Sequence, residues 1–69
     1  MKFWKSPIPK TCDLCGQPVF DTFIDGRTSE GFWAIMCKKC HVSKGMGLGP
    51  GRGQLYCRNR GGKFLKTDG

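Results

Sequence analysis

Two cysteine pairs, Cys12-Asp13-Leu14-Cys15 and Cys37-Lys38-Lys39-Cys40, are the residues of this chain best equipped for chemistry. Twenty-one residues, 16–36, lie between the pairs. Thiolates are soft donors, and a two-residue gap lets one tight turn aim two sulfurs at a single ion. The spacing predicts one Zn2+ held by Cys12, Cys15, Cys37 and Cys40. A catalytic zinc keeps a coordination position open, whereas four thiolates close the shell, so the expected ion is structural.

Other chemistries fit the residue inventory poorly. His41 is the only histidine, and standing next to Cys40 it is badly placed to share the same ion. It is expected at the surface or beside the ligands, and one histidine is too few for a histidine–metal nuclease. Dithiol oxidoreductases carry Cys-x-x-Cys within a βαβ pattern that this chain does not show. Serines and threonines are few, and most carboxylates fall within residues 13–30, so no nucleophile–base pair is readable. No enzymatic activity and no small-molecule substrate are expected. Cys57, outside both pairs, reads as a small buried group of a strand.

Disulfides are the competing use of the thiols. Five cysteines is an odd number, which suits a secreted framework badly. The start, Met1-Lys2-Phe3-Trp4-Lys5-Ser6-Pro7-Ile8-Pro9, lacks the apolar stretch of a secretion signal. The longest apolar run, 32–37, falls far short of the ~18 residues of a membrane span. A reducing, cytoplasmic setting without a membrane partner is the expectation.

Sixty-nine residues suffice for one domain. A core of that size rarely supplies more than about 3–5 kcal/mol, whereas a bound zinc contributes on the order of 10 kcal/mol. The metal is therefore expected to dominate stability.

The rest of the chain must position the ligands. Residues 1–11, with Pro7 and Pro9, read as an extended arm whose Phe3 and Trp4 fold back over the domain. Residues 12–44 form the zinc core. It opens on a knuckle at Cys12–Cys15, where Gly16 permits the positive φ of the turn. Val19-Phe20-Asp21-Thr22-Phe23-Ile24 reads as a strand, Asp25-Gly26 as a hairpin turn, and Phe32-Trp33-Ala34-Ile35-Met36 as the end of the return strand. Cys40 is followed by His41-Val42-Ser43-Lys44, which permits a short helix stopped by Gly45 and places the second pair at a helix N-terminus. Knuckle, hairpin and ligand-bearing helix define a small α+β, treble-clef-like domain. The alternative is a zinc ribbon with two knuckles and no helix. Residues 45–53, with glycine at every second position, read as an irregular loop. Residues 54–66 read as a C-terminal hairpin turning at Asn59-Arg60-Gly61-Gly62, with a frayed tail at 67–69.

Charge is distributed unevenly. The formal total is +7; residues 11–30 carry a net −3 and residues 31–69 a net +7. Such asymmetry predicts a polyanion or an acidic protein surface as partner. Lys38, Lys39, Lys44, Arg52, Arg58, Arg60 and Lys63 are the candidate phosphate contacts, with Tyr56 stacking on a base. Two functions follow: a nucleic-acid-binding accessory protein, or a protein-interaction module that binds and modulates an enzyme.

Three segments carry a family resemblance: Phe23-Ile24-Asp25-Gly26-Arg27-Thr28, Trp33-Ala34-Ile35-Met36-Cys37-Lys38-Lys39-Cys40-His41, and Gly45-Met46-Gly47-Leu48-Gly49-Pro50-Gly51-Arg52-Gly53-Gln54-Leu55-Tyr56. Together they resemble small zinc-finger-like proteins encoded by tailed bacteriophages, over roughly residues 12–66. The resemblance implies action in the bacterial host cytoplasm, with the host transcription or defence machinery as conceivable targets. More distantly, Trp33 ahead of Cys37-x-x-Cys40 and the basic tail resemble GATA-type fingers, with a longer gap between the pairs.

Overall fold

Phe23 and Ile24 are neighbours in the chain, and both are sealed from solvent. Successive side chains of a strand point to opposite faces, so both faces of the sheet must be covered. The computed structural model, which describes residues 3–5 and 7–69, shows how. Its elements are β1 (Thr22–Arg27), β2 (Trp33–Met36), α1 (Lys38–Lys44), β3 (Gly53–Arg58) and β4 (Phe64–Asp68). The strands form one antiparallel sheet in the order β2-β1-β3-β4. Four strands and one short helix give the α+β class expected from the sequence.

On one face Phe23 packs with Tyr56 and Phe64, covered by Trp4, Val19 and Ile35. On the other, Ile24 packs with Ala34 and Met36, covered by Leu14, Cys40, Leu48 and Leu55. The first is an aromatic face closed by the N-terminal arm. The second is a metal face closed by the cysteine-bearing segments. Among the described residues, no helix is long and apolar enough to cross a membrane.

Of the arm predicted over 1–11, Met1, Lys2 and Ser6 lie outside the described residues. Phe3 pairs with Leu65 at the outer edge of β4, and the Trp4 amide donates to the Phe64 carbonyl at 2.8 Å. The Trp4 indole meets Phe23 and Tyr56 edge-on, with centroids 5.1 and 5.3 Å away. Its ring N–H donates to the Pro7 carbonyl at 3.0 Å, so the polar tip of the indole is satisfied while its body packs.

Three local expectations are corrected. Asp25-Gly26 is not a turn: β1 runs through it, and the chain reverses at Thr28-Ser29-Glu30-Gly31. Gly26 faces Ala34 on one side and Gly53 on the other, and a Cβ there would stand 3.0 Å from the Arg52 carbonyl oxygen. The glycine thus serves a close approach of backbones, not a bend. The actual turn is closed by Thr28, a buried residue whose hydroxyl donates to the Phe32 carbonyl at 2.9 Å.

The first strand starts at Thr22, not at Val19, and Phe20 stands exposed before it. At the other terminus, Thr67 and Asp68 are not frayed but belong to β4. A register shift between Leu55 and Tyr56 pairs Asp68 with Leu55, whose carbonyl accepts from the Thr67 hydroxyl at 3.4 Å. Cys57 is half-buried, with Sγ 3.9 Å from the Thr22 hydroxyl and 3.6 Å from that of Thr67, so its surroundings are polar.

Candidate metal centre

The first cysteine pair sits on a miniature hairpin. Thr11 pairs with Pro18, the Cys12 amide donates to the Gln17 carbonyl at 2.8 Å, and the Gly16 amide donates to the Cys12 carbonyl at 3.0 Å. Gly16 has φ +76°, the left-handed conformation the turn demands. The Leu14 amide points back at Cys12 Sγ, 3.4 Å away.

The second pair sits on α1. Cys37 is its N-cap residue and Cys40 lies in its first turn, where the His41 amide donates to the Cys37 carbonyl at 2.9 Å. Partial positive charge at a helix start favours thiolates.

Asp13 joins the two halves. Its amide donates to the Ile35 carbonyl at 2.8 Å, and its carboxylate accepts from the Ile35 amide at 2.9 Å. Both outward backbone groups of Ile35 are thereby satisfied at the free edge of β2, two residues before Cys37. The knuckle is docked where its sulfurs face the helix start. Nothing in the sequence marked this residue, because its partner is 22 positions away.

The four Sγ atoms lie within 4.8 Å of one another, and Cys15 and Cys37 are 3.7 Å apart. Tetrahedral Zn–S bonds of about 2.3 Å place sulfurs about 3.8 Å apart, whereas a disulfide requires about 2.05 Å. The donor set therefore fits one four-thiolate metal ion, and all five cysteines are free thiols. Burial is graded: Cys12 is 2% exposed, Cys37 and Cys40 are half-buried, and Cys15 is open to solvent.

The thiols also share out their protons unequally. Burial pushes the Cys12 thiol up, but backbone hydrogen bonds at Cys37, Cys15 and Leu14, with one from the Cys15 thiol, outweigh it and bring it to about 6. Cys40 is pushed up to about 12 by burial, by hydrogen bonds with Cys15, Cys37 and Cys12, and by the Cys12 charge. At pH 7.5 the metal-free site thus holds Cys12 as thiolate and Cys40 as thiol, whereas a bound metal needs every ligand deprotonated. Loading zinc at that pH should release protons, that of Cys40 among them, and uptake should weaken as pH falls through the Cys12 titration near 6. Calorimetry in buffers of different ionisation enthalpy measures the proton count. A value near zero would mean that the cluster is already deprotonated.

His41, expected at the surface or beside the ligands, is half-buried and fastens the helix to the glycine loop. Its Nε2–H donates to the Gly47 carbonyl at 2.9 Å. The Gly45 amide donates to the His41 carbonyl at 2.9 Å, and a Cβ on Gly45 would stand 2.6 Å from that same carbonyl oxygen. A glycine is needed there by close approach.

The residues assigned to nucleic acid do not form one patch. Lys38 and Lys39 are exposed on the first turn of α1, and Lys44 on its last. Arg58, Arg60 and Lys63 flank the β3–β4 turn. Arg52 sits at the opposite end of β3, about 20 Å away for six residues of strand. Arg58 lies over the Phe64 ring at 5.0 Å and Lys63 over the Phe3 ring at 5.8 Å, which holds both heads near the surface of the aromatic face's border.

Tyr56 is a correction. The ring is 8% exposed and stacks on Phe23 with centroids 5.2 Å apart, so neither of its faces is open to a base. Burial, with the nearby Asp25 carboxylate, pushes its hydroxyl above the usual phenol range.

No family model, no curated protein and no solved structure matches this chain.

Proposed function

We propose that this protein is a treble-clef-like structural zinc module that binds nucleic acid as an accessory protein, of the kind encoded by tailed bacteriophages. The observation that carries the metal half is the cluster of four sulfurs within 4.8 Å, two from a knuckle and two from a helix start. Zinc bound there supplies a closed, non-reactive cross-link. It ties residues 12–15 to residues 37–40 across the β1–β2 hairpin.

The binding half rests on charge. Among the described residues ten cations are exposed, Lys5, Lys10, Arg27, Lys38, Lys39, Lys44, Arg52, Arg58, Arg60 and Lys63, on a chain with a formal charge of +7. A domain of this size and charge attracts polyanions by counterion release. The second reading, a module that docks on a host protein, draws on Val42, which is 85% exposed on α1.

Fluorescence anisotropy of the zinc-loaded protein with labelled DNA and RNA over a salt series tests the binding half. About four to six phosphate contacts on duplex give a log–log slope near −4 to −5. Arg58→Glu with Arg60→Glu should keep the fold, because both side chains are exposed, and should lower that slope by about 2. An unchanged slope clears the β3–β4 turn of phosphate contacts. Binding that vanishes by about 0.1 M salt moves the protein-docking reading to the front.

A further inference from the structure

The aromatic face is covered by the arm over only part of its length. Trp4 and Val19 close the rows of Phe23, Tyr56 and Phe64. Beyond them, at the other end of the same face, Trp33 and Arg27 stand opposite each other on β2 and β1. Ile35 packs with the aromatic cluster, so Trp33, two residues before it, shares that face. Phe23 places Arg27 there by the same alternation.

This pair is a close one. The Arg27 amide donates to the Arg52 carbonyl at 2.8 Å, and its carbonyl accepts from the Met46 amide at 3.2 Å. Both backbone groups of Arg27 therefore turn away from β2. Arg27 and Trp33 are a non-hydrogen-bonded pair, the kind that sets Cα atoms about 4.5 Å apart with side chains in contact range. Arg27 is exposed, and Trp33 as a residue is 48% exposed.

A second arginine follows alongside Arg27, at the start of β3. Arg52 is the backbone neighbour of Arg27, and its side chain folds along the glycine loop: a Cβ on Gly49 would stand 2.6 Å from Arg52 Nη2. Gly49, at φ +129°, gives the arginine room to lie there. One end of the sheet thus carries a half-open indole and two arginines in a row.

We infer that the Trp33–Arg27–Arg52 row is a nucleotide-stacking site for single-stranded nucleic acid. Indole offers a π-face to a base, and guanidiniums match the flanking phosphates in charge and geometry. Single strands are selected because their base faces are free, whereas duplex bases are stacked on one another and out of reach of a ring lying on a sheet. Phe32 alternates to the other face and Tyr56 is buried, so Trp33 is the aromatic residue available here. The inference rests on the nucleic-acid reading above and replaces Tyr56 with Trp33 as its stacking residue.

The test is anisotropy of zinc-loaded wild type and Trp33→Ala with a labelled oligodeoxythymidine about 12 nucleotides long and with a duplex of that length. Trp33→Ala should weaken single-strand binding about tenfold or more and leave duplex binding unchanged. Equal binding of the single strand by both proteins overturns the inference and leaves the nucleic-acid reading standing. Equal weakening on both probes also overturns it. No binding of either probe by wild type brings down both.

A second measurement does not depend on the folding of Trp33→Ala. In a Trp4→Phe background Trp33 is the sole source of tryptophan emission, since the chain has two tryptophans. Saturable quenching by the oligonucleotide is expected, and binding seen by anisotropy without quenching excludes stacking on Trp33.

Discussion

Cys37→Ser should leave the chain without a cooperative fold at neutral pH. A domain of this length has a net stability of roughly 3–10 kcal/mol, and a structural zinc contributes on the order of 10 kcal/mol or more. Losing one thiolate of four removes most of that term. Cys37 also stands at the start of α1 and follows the strand that Asp13 grips, so without its bond to the metal the helix and the knuckle lose their common anchor. Circular dichroism melts with and without EDTA, together with metal analysis, measure the effect. Wild type should carry one zinc per chain and lose its transition on chelation. A Cys37→Ser protein that melts at the wild-type midpoint with no metal bound would show that the sheet stands alone.

Phe23→Ala is the largest effect expected away from the metal. Phe23 is 0% exposed, and its ring lies 5.1, 5.2 and 4.9 Å from those of Trp4, Tyr56 and Phe64. Truncating such a residue costs about 3–5 kcal/mol, with about 0.5–1.5 kcal/mol more for each aromatic pair lost. The first term alone should lower the melting midpoint by roughly 12–40 °C at the usual 4–8 °C per kcal/mol for a domain this size. Zinc should remain bound below that midpoint, because the ligands pack on the opposite face. Val42→Ala, at an exposed site of α1, should stay within about 0.5 kcal/mol of wild type. Equal midpoints for Phe23→Ala and Val42→Ala would refute the two-faced core.

Legibility in the sequence followed the range of the physical cause. The four candidate ligands were readable because two-residue spacing constrains sulfurs through a single turn. The helix after Cys37 was readable because Gly45 stops it locally. Asp25-Gly26 misled because its turn propensity is local, while the need for glycine there comes from Arg52 and Gly53 on β3.

Asp13 was silent for the same reason, its role being set by Ile35 on the edge strand. Alternation along β3 separated Tyr56 from Leu55 and Cys57, but it cannot say which face acquires a lid. The arm supplied that lid from Trp4, so a ring expected to meet a base is buried. Arg27 and Trp33 went unread as a pair because only the β1–β2 register, fixed by a turn at 28–31 in place of 25–26, puts them side by side.

The bond from Trp4 to Phe64 spans sixty positions of a 69-residue chain. On a ribosome adding roughly 5–20 residues per second, the arm is made first and has no docking site until β4 emerges. The ligands at 12–40 need only the first part of the chain to meet, so the metal centre can close while synthesis continues. The aromatic face closes only once β4 is free of the ribosome, so residues made before the ligands find their place after them.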